Sequence, residues 1–158
     1  MKEKIILVPG LNANEFVKSL AAHGVNCIGL RICNAAELAR MAFARSGITI
    51  SETFISGREE VSLIAEAARD VTYFTNASFA DIRGIAASIR KMRMLVTDSD
   101  EGGVIKDNLS KGIFTEKNDA LLSIYDRYIR ALKANNLVDS VALIRQAIWQ
   151  LRGGGAGC

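Results

Sequence analysis

Several residue types that build common binding sites are scarce in this chain. Its 158 residues include one histidine, one proline and three cysteines, and aromatic residues make up 6%. Cys27 and Cys33 lie six positions apart with no histidine clustered beside them, which is not the spacing of a zinc site. We therefore expect no metal. An odd number of cysteines in apolar surroundings favours reduced thiols, and hence a cytoplasmic protein.

Long apolar runs and strong net charge are also absent. No apolar run approaches the roughly 20 residues that a membrane-spanning helix needs, and the N-terminal apolar stretch is too short for a signal peptide. We expect no membrane partner. Hydrophobic residues make up 49% and charged residues 23%, which is ordinary for a globular protein. The net charge of +3 does not by itself indicate a nucleic-acid-binding protein, which usually shows a denser basic face.

The stretch Ile6–Phe16, ILVPGLNANEF, has the layout of a nucleotide-binding turn. An apolar run ends in Pro-Gly, and a helix-forming segment follows. A phosphate loop reads G-x-x-x-x-G-K-[ST], whereas here there is a single glycine, Gly10, and Phe16 and Val17 stand in place of the lysine and the hydroxyl residue. The sequence therefore predicts a strand-turn-helix that binds no ATP and no other cofactor.

Periodicity and capping signals predict a small parallel α/β beginning and a mostly helical remainder. Asn34 with Glu37 three residues later forms a capping-box pattern at the start of the second helix, and Asn135-Asn136 ends the strongest amphipathic helix. In chain order, the predicted elements are strands at Lys4–Val8 and Asn26–Ile32 and helices at about 15–23, 35–45, 58–70, 78–93, 116–134 and, after Asp139 or Ser140, up to Leu151.

Composition divides the chain into four predicted segments. Residues 1–97 form an α/β lobe with helical cover, and residues 98–111, rich in Gly, Asp and Ser, form a linker. Residues 112–152 form a helical hairpin, and 153–158 a flexible glycine-rich tail. The predicted fold class is thus α/β and helix-rich, with a small parallel sheet at the N-terminus. Because a two-stranded sheet is too small to stand alone, we expect the chain to be one part of a larger protein.

One cluster of basic residues is a candidate nucleic-acid contact. Arg83, Arg90, Lys91 and Arg93 lie on or just after one predicted helix, and Arg and Lys supply most contacts to the phosphate backbone. The alternative interpretation is that these four residues form a helix face that contacts only water. We predict these four residues as the DNA-binding set.

Other candidates have simpler structural explanations. Tyr125, Tyr128 and Trp149 could stack on bases, but their helical spacing among leucines predicts core positions. The stretch from Asp98 resembles a calcium loop, yet its twelfth position is Leu109, where a bidentate glutamate is needed. We find no nucleophile, base or buried carboxylate pair, so no catalytic site is predicted.

The last third of the chain resembles a segment of UvrD-type helicases and their nuclease relatives. Leu121–Ile148, LLSIYDRYIRALKANNLVDSVALIRQAI, has a tyrosine-bearing helix, an Asn-rich turn and a Leu-Asp step opening the next helix, with Val138 intervening before Asp139. The opening of the chain, with its strand ending LVP and its capped helix containing ELAR, is similar to the start of AddB-like subunits. Ala80–Arg93, ADIRGIAASIRKMR, also looks like a helix of those proteins.

This resemblance implies a partial P-loop-helicase-like lobe and a non-catalytic role. AddB-like proteins carry a degenerate helicase region and a distant PD-(D/E)XK nuclease domain, so the chain would be an N-terminal fragment of an exonuclease that acts in DNA end processing and recombinational repair. The implied partners are DNA, through weak backbone contacts, and the remainder of the parent chain or a helicase-nuclease partner subunit. The alternative function is a stand-alone helical protein-interaction module without a nucleic-acid role.

Overall fold

The computed structural model describes residues 4–7, 13–96, 101–113 and 115–151. Within these ranges the chain is helix-rich and has a small two-stranded parallel sheet near its N-terminus, which confirms the predicted helix-rich α/β class. In chain order, the elements are β1 (Lys4–Leu7), α1 (Ala13–Ala22), β2 (Leu30–Cys33), α2 (Ala35–Ser46), β3 (Thr53–Phe54), α3 (Gly57–Ala68), a short 3-10 turn (Thr72–Phe74), α4 (Phe79–Leu95), α5 (Glu101–Ser110), α6 (Thr115–Ala134), β4 (Leu137–Val138) and α7 (Ser140–Leu151).

The contacts divide the chain into two compact units. The first contains residues 1–50 together with 143–158, and the second contains residues 51–142. This division differs from the predicted boundary at residues 98–111, because α5 packs within the second unit beside α6. Residues 153–158, predicted to be a flexible tail, lie outside the described residues.

The first unit is built on the parallel pairing of β1 with β2. Lys4 lies opposite Leu30, and Leu7 lies opposite Cys33. The second strand begins later than the predicted Asn26, because the amide of Ile28 donates to the side chain of Asn26 (3.0 Å) and forms a local turn there. Such side-chain bonds to the nearby backbone compete with strand pairing.

Helix α2 begins as its sequence predicts. The amide of Glu37 donates to the Asn34 side chain at 2.9 Å, and the Glu37 carboxylate accepts from the Asn34 amide at 2.9 Å. This reciprocal box satisfies two amides that lack partners inside the helix. At the other end Gly47 adopts φ 68°, a left-handed conformation that glycine reaches without steric cost.

The second unit encloses its core between α3, α4, α5 and α6. Apolar side chains recur every three or four residues along each helix, so that each presents one buried stripe. The residues buried most completely in this cluster are Ile64 of α3, Ile89 of α4, and Ile124 and Tyr128 of α6. The predicted helices over 58–70, 78–93 and 116–134 are thereby confirmed.

The predicted linker at 98–111 is wrong over Glu101–Ser110, which forms helix α5. Two adjacent glycines and several polar residues make this a poor helix by intrinsic propensity. However, Ile105 is only 2% exposed, and Val104 and Leu109 pack against the same core. Burial of this apolar face against its neighbours outweighs the propensity, an outcome that composition does not reveal. Residues 98–100 lie outside the described part of the chain.

A second, very short parallel pair ties the two ends of this unit together. Thr53 and Phe54 of β3 pair with Leu137 and Val138 of β4. Asn136, just before β4, adopts φ 52°, a conformation that Asn tolerates better than most residues. The predicted break at Asn135-Asn136 is confirmed, because α6 ends at Ala134 and β4 begins at Leu137.

The helices of the described residues include none that is both long and apolar enough to cross a bilayer.

Helix α4 also begins at a capping box, formed by Ser78 and Asp81. The Ser78 hydroxyl accepts from the Asp81 amide at 3.2 Å, and the Asp81 carboxylate accepts from the Ser78 amide at 2.8 Å and from its hydroxyl at 2.7 Å. The two hydrogen bonds that the Asp81 carboxylate accepts lower its pKa, and the bond from the Ser78 hydroxyl has the larger effect. The cap fixes where the first turn of α4 begins, and with it the position of Phe79.

We expect Ser78→Ala to lower the free energy of unfolding by about 1 kcal/mol, because it leaves an amide of the first turn without its side-chain acceptor. Urea unfolding followed by circular dichroism measures this change. Ser88→Ala is the matched control, since the Ser88 hydroxyl only donates back to the Gly84 carbonyl within the same helix. An equal loss in both variants would contradict the capping role.

Candidate functional site

The four basic residues predicted to contact DNA do not share one surface. Arg83 and Lys91 are exposed, Arg90 is partly buried, and Arg93 is only 4% exposed. All four lie on α4, whose turns direct them to different sides. The structure therefore separates them into two residues that hold the fold together and two that face solvent.

Arg93 belongs to a buried polar cluster with Tyr128 and Asp139. Its guanidinium donates to the Asp139 carboxylate, and the Tyr128 hydroxyl donates to the same carboxylate oxygen at 2.7 Å. The other carboxylate oxygen accepts from the amide of Ala142 at 2.9 Å and so caps α7. Because a buried charge is tolerated only when it is paired and hydrogen-bonded, Arg93 is committed to this cluster. The prediction that Arg93 contacts DNA is therefore corrected, because its guanidinium is buried and paired.

Arg90 forms a second internal ion pair, with Glu60 of α3. Its Nη2 lies 2.5 Å from Glu60 Oε2, and its Nε lies 3.3 Å from Oε1, a two-pronged arrangement. Glu60 is buried, and its hydrogen bond is the main cause that raises the pKa of Arg90. Arg90 therefore joins α4 to α3, although part of its side chain still reaches solvent.

The aromatic candidates are also divided. Tyr125 and Tyr128 are buried, which confirms the prediction that they belong to the core. Trp149 is 58% exposed, so its predicted core position is wrong. It lies near the end of α7, beside the exposed Ile148.

Arg83 lies in a groove between α3 and α4. The groove has a volume of about 740 Å³, within the range typical of ligand sites. Two arginines, one from each helix, face an apolar wall that includes Phe79, which is 71% exposed. The groove is lined by Gly57, Arg58, Val61, Ser62, Ala65, Phe79 and Arg83. All seven lie within the described part of the chain, and none of them carries a carboxylate.

Sequence reasoning missed two members of this groove, Arg58 and Phe79. Phe79 falls on the apolar period of α4, which favours a core position, but it is the first residue of the helix. Arg58 likewise lies in the first turn of α3. The serine caps at Ser56 and Ser78 mark where the two helices start, but no local pattern in the sequence shows that these two helix starts line one groove.

The remaining candidates give no site in the described residues. No group of three or more His, Cys, Asp or Glu side chains there could hold a metal ion. His23 is exposed, and its ring nitrogen Nδ1 lies 2.8 Å from the Ser19 carbonyl at the end of α1, which agrees with a role at the helix terminus. The turn around Gly10 and the acidic start of the calcium-like stretch lie outside the described residues.

Comparisons with known proteins assign no family to this arrangement. No protein-family model matches the chain, and no curated protein has significant sequence similarity to it.

We expect Arg93→Met to lower the free energy of unfolding by about 3–5 kcal/mol, because it removes one partner of a buried ion pair and leaves the Asp139 charge uncompensated. Chemical denaturation measures the change. Arg83→Met is the matched control, a substitution of an exposed arginine on the same helix that should cost no more than about 0.5 kcal/mol. Similar losses in the two variants would refute the separation of these arginines into buried and surface roles.

We also expect the free energy of unfolding to fall at alkaline pH, because the hydroxyl of Tyr128 loses its proton there more readily in the unfolded chain than in the folded one. Burial, followed by the charge of Asp139 and the hydrogen bond to it, raises the pKa of Tyr128. A pKa raised on folding gives stability that is complete below the unfolded-state value of about 10 and is lost as the pH rises towards the folded-state value. We expect urea midpoints measured between pH 8 and pH 11 to decrease above pH 10, and Tyr128→Phe to weaken that decrease.

Tyr73→Phe is the control for this titration. Tyr73 is half exposed, and its ring contacts Phe74 at a centroid distance of 4.9 Å. If this variant flattened the alkaline decrease as much as Tyr128→Phe, the buried hydroxyl would not be its source.

Proposed function

We propose that this chain is a non-catalytic nucleic-acid-binding module of a protein that processes DNA ends. The observation that carries the proposal is the groove between α3 and α4. Arg58 and Arg83 line it together, and no carboxylate from the described residues does so. Two guanidiniums without a competing acid suit the phosphates of a nucleic-acid backbone.

The two internal ion pairs support this role by fixing the helices that carry the arginines. Glu60 and Arg90 join α3 to α4, and Arg93 and Asp139 join α4 to the start of α7. A binding group on a rigid helix loses less conformational entropy when it binds than one on a mobile loop. Arg58 and Arg83 are thus presented from supported elements, which favours a binding surface over a chance cluster of solvated charges.

The wider assignment rests on the sequence resemblance described above. In that proposal the N-terminal β1–β2 region is a degenerate helicase-like lobe that binds no ATP. The chain belongs to an AddB-like exonuclease whose PD-(D/E)XK domain lies elsewhere in the parent protein, and its protein partner is the rest of that parent or a helicase-nuclease subunit. Of the four basic residues predicted to contact DNA, Arg83 and Lys91 remain available to do so, and Arg58 joins them.

A second candidate function is a protein-interaction module. Ile148 and Trp149 are adjacent exposed apolar residues on α7, and exposed tryptophan is common where proteins bind one another. Binding through such residues would depend little on salt, whereas binding to phosphates weakens steeply as salt rises.

The test is fluorescence anisotropy with a labelled forked DNA that contains both duplex and single-stranded arms. We expect the binding constant to fall between 50 and 200 mM salt, with the two arginine contacts of the groove contributing a log–log slope of about −1.4 to −1.8. The double variant Arg58→Ala/Arg83→Ala should lose most of that slope, because both guanidiniums of the groove are removed.

Arg130→Ala serves as the control, since Arg130 is exposed on α6 and does not line the groove. An equal loss in this variant would mean that binding reflects general positive charge. No binding at low salt would refute the nucleic-acid role and leave the protein-interaction module.

A further inference from the structure

The exposure of Phe79 distinguishes the groove from a simple pair of basic residues. Its ring is 71% exposed, whereas Ile82, Ile85 and Ile89 of the same helix are buried in the core. Solvent contact with an aromatic ring is unfavourable by the hydrophobic effect. The same ring lines a groove whose polar rim is cationic, so one ligand that carries both a planar apolar group and a negative charge would satisfy both features.

We infer that the groove binds one unpaired nucleotide of a single strand, with its base stacked on Phe79 and the adjoining phosphates held by Arg58 and Arg83. This inference rests on the proposed nucleic-acid role and goes beyond it, because it names the form of nucleic acid that the site selects. In a duplex the base faces are covered by their neighbours and are not offered to a protein ring. An unpaired base presents its face freely.

The size of the groove agrees with this occupant. A volume of about 740 Å³ is within the range of sites that enclose small organic ligands, and Val61 and Ala65 give the groove an apolar lining in addition to its two arginines. A duplex approaching the same surface would use the two arginines but would leave this apolar wall and Phe79 uncovered. The groove is thus better matched to one nucleotide than to a duplex surface.

The lining residues also predict little preference among the bases. Apart from the arginines, Ser62 is the only side chain in the groove able to form hydrogen bonds, within the described residues that line it. Sequence readout needs paired donors and acceptors directed at base edges, whereas stacking is available to every base. We therefore expect similar affinities for thymine-rich and adenine-rich strands.

The experiment compares three labelled ligands on the complete chain by anisotropy: a 15-nucleotide oligothymidine, a 15-base-pair duplex and thymidine monophosphate. We expect Phe79→Ala and Phe79→Leu each to weaken binding of the single strand by about 5- to 140-fold, the range for loss of one base–aromatic stack. Phe79→Leu keeps an apolar side chain and so separates stacking from packing. Phe79→Trp should bind at least as tightly as the unaltered chain, and duplex binding should be unchanged in all three variants.

Tyr73→Ala is the matched control, because it removes an exposed aromatic ring that lies outside the groove. Thermal unfolding shows whether each variant is folded. If Phe79→Leu weakened binding of the single strand and of the duplex equally, or changed neither, the unpaired-nucleotide inference would be wrong. Salt-dependent DNA binding would in that case still support the nucleic-acid role. Thymidine monophosphate binding as tightly as the oligonucleotide would also overturn it, since the site would then take a free nucleotide. Failure of all three ligands to bind would refute the proposed function itself.

Discussion

The buried carboxylate of Asp139 constrains how the elements of the second unit pack. A charged oxygen pair removed from water costs several kcal/mol unless donors replace the lost hydration. Here the donors come from three different elements: Arg93 of α4, Tyr128 of α6 and the amide of Ala142 in α7. Because each must reach the same carboxylate, α4, α6 and the first turn of α7 can meet in only a narrow set of positions within the second unit. The apolar stripes of α4 and α6 then pack in the register that this cluster allows.

This cluster and the separate Arg90–Glu60 ion pair give the arginines along α4 different roles. Arg93 is drawn inward by Asp139, 46 positions later in the chain, and Arg90 is held by Glu60, 30 positions earlier. Arg83 lies about two to three turns before them on the same helix and has an exposed side chain. The basic residues of α4 therefore have two different roles. Arg90 and Arg93 pair with carboxylates inside the protein, whereas Arg83 is accessible to a ligand.

The sequence predicted the features that are decided locally. The capping box at Asn34 and the start of α7 after Asp139 follow from side chains within three residues of the helix end, so nearby residues suffice to find them. Helix α5 was missed because its stability depends on Ile105 reaching a core formed by other helices. The roles of Arg90 and Arg93 were missed for the same reason, since their carboxylate partners are distant in sequence. Trp149 was wrongly predicted to lie in the core, because helical spacing identifies the apolar face of a helix but not whether another element covers that face.

The same distinction explains why net charge says little about binding by this chain. At about 0.1 M salt, exposed charges more than about 10 Å apart are largely screened from one another, so an excess of three positive charges over the whole chain has little effect at any one place. What matters is the charge left at the groove after internal pairs have been formed. Arg90 and Arg93 are largely neutralised by Glu60 and Asp139, whereas Arg58, which belongs to another helix and was not part of the basic cluster in the sequence, faces the groove beside Arg83. The local field that a phosphate would meet is thus created by the packing of α3 on α4, and it arises only in the folded chain.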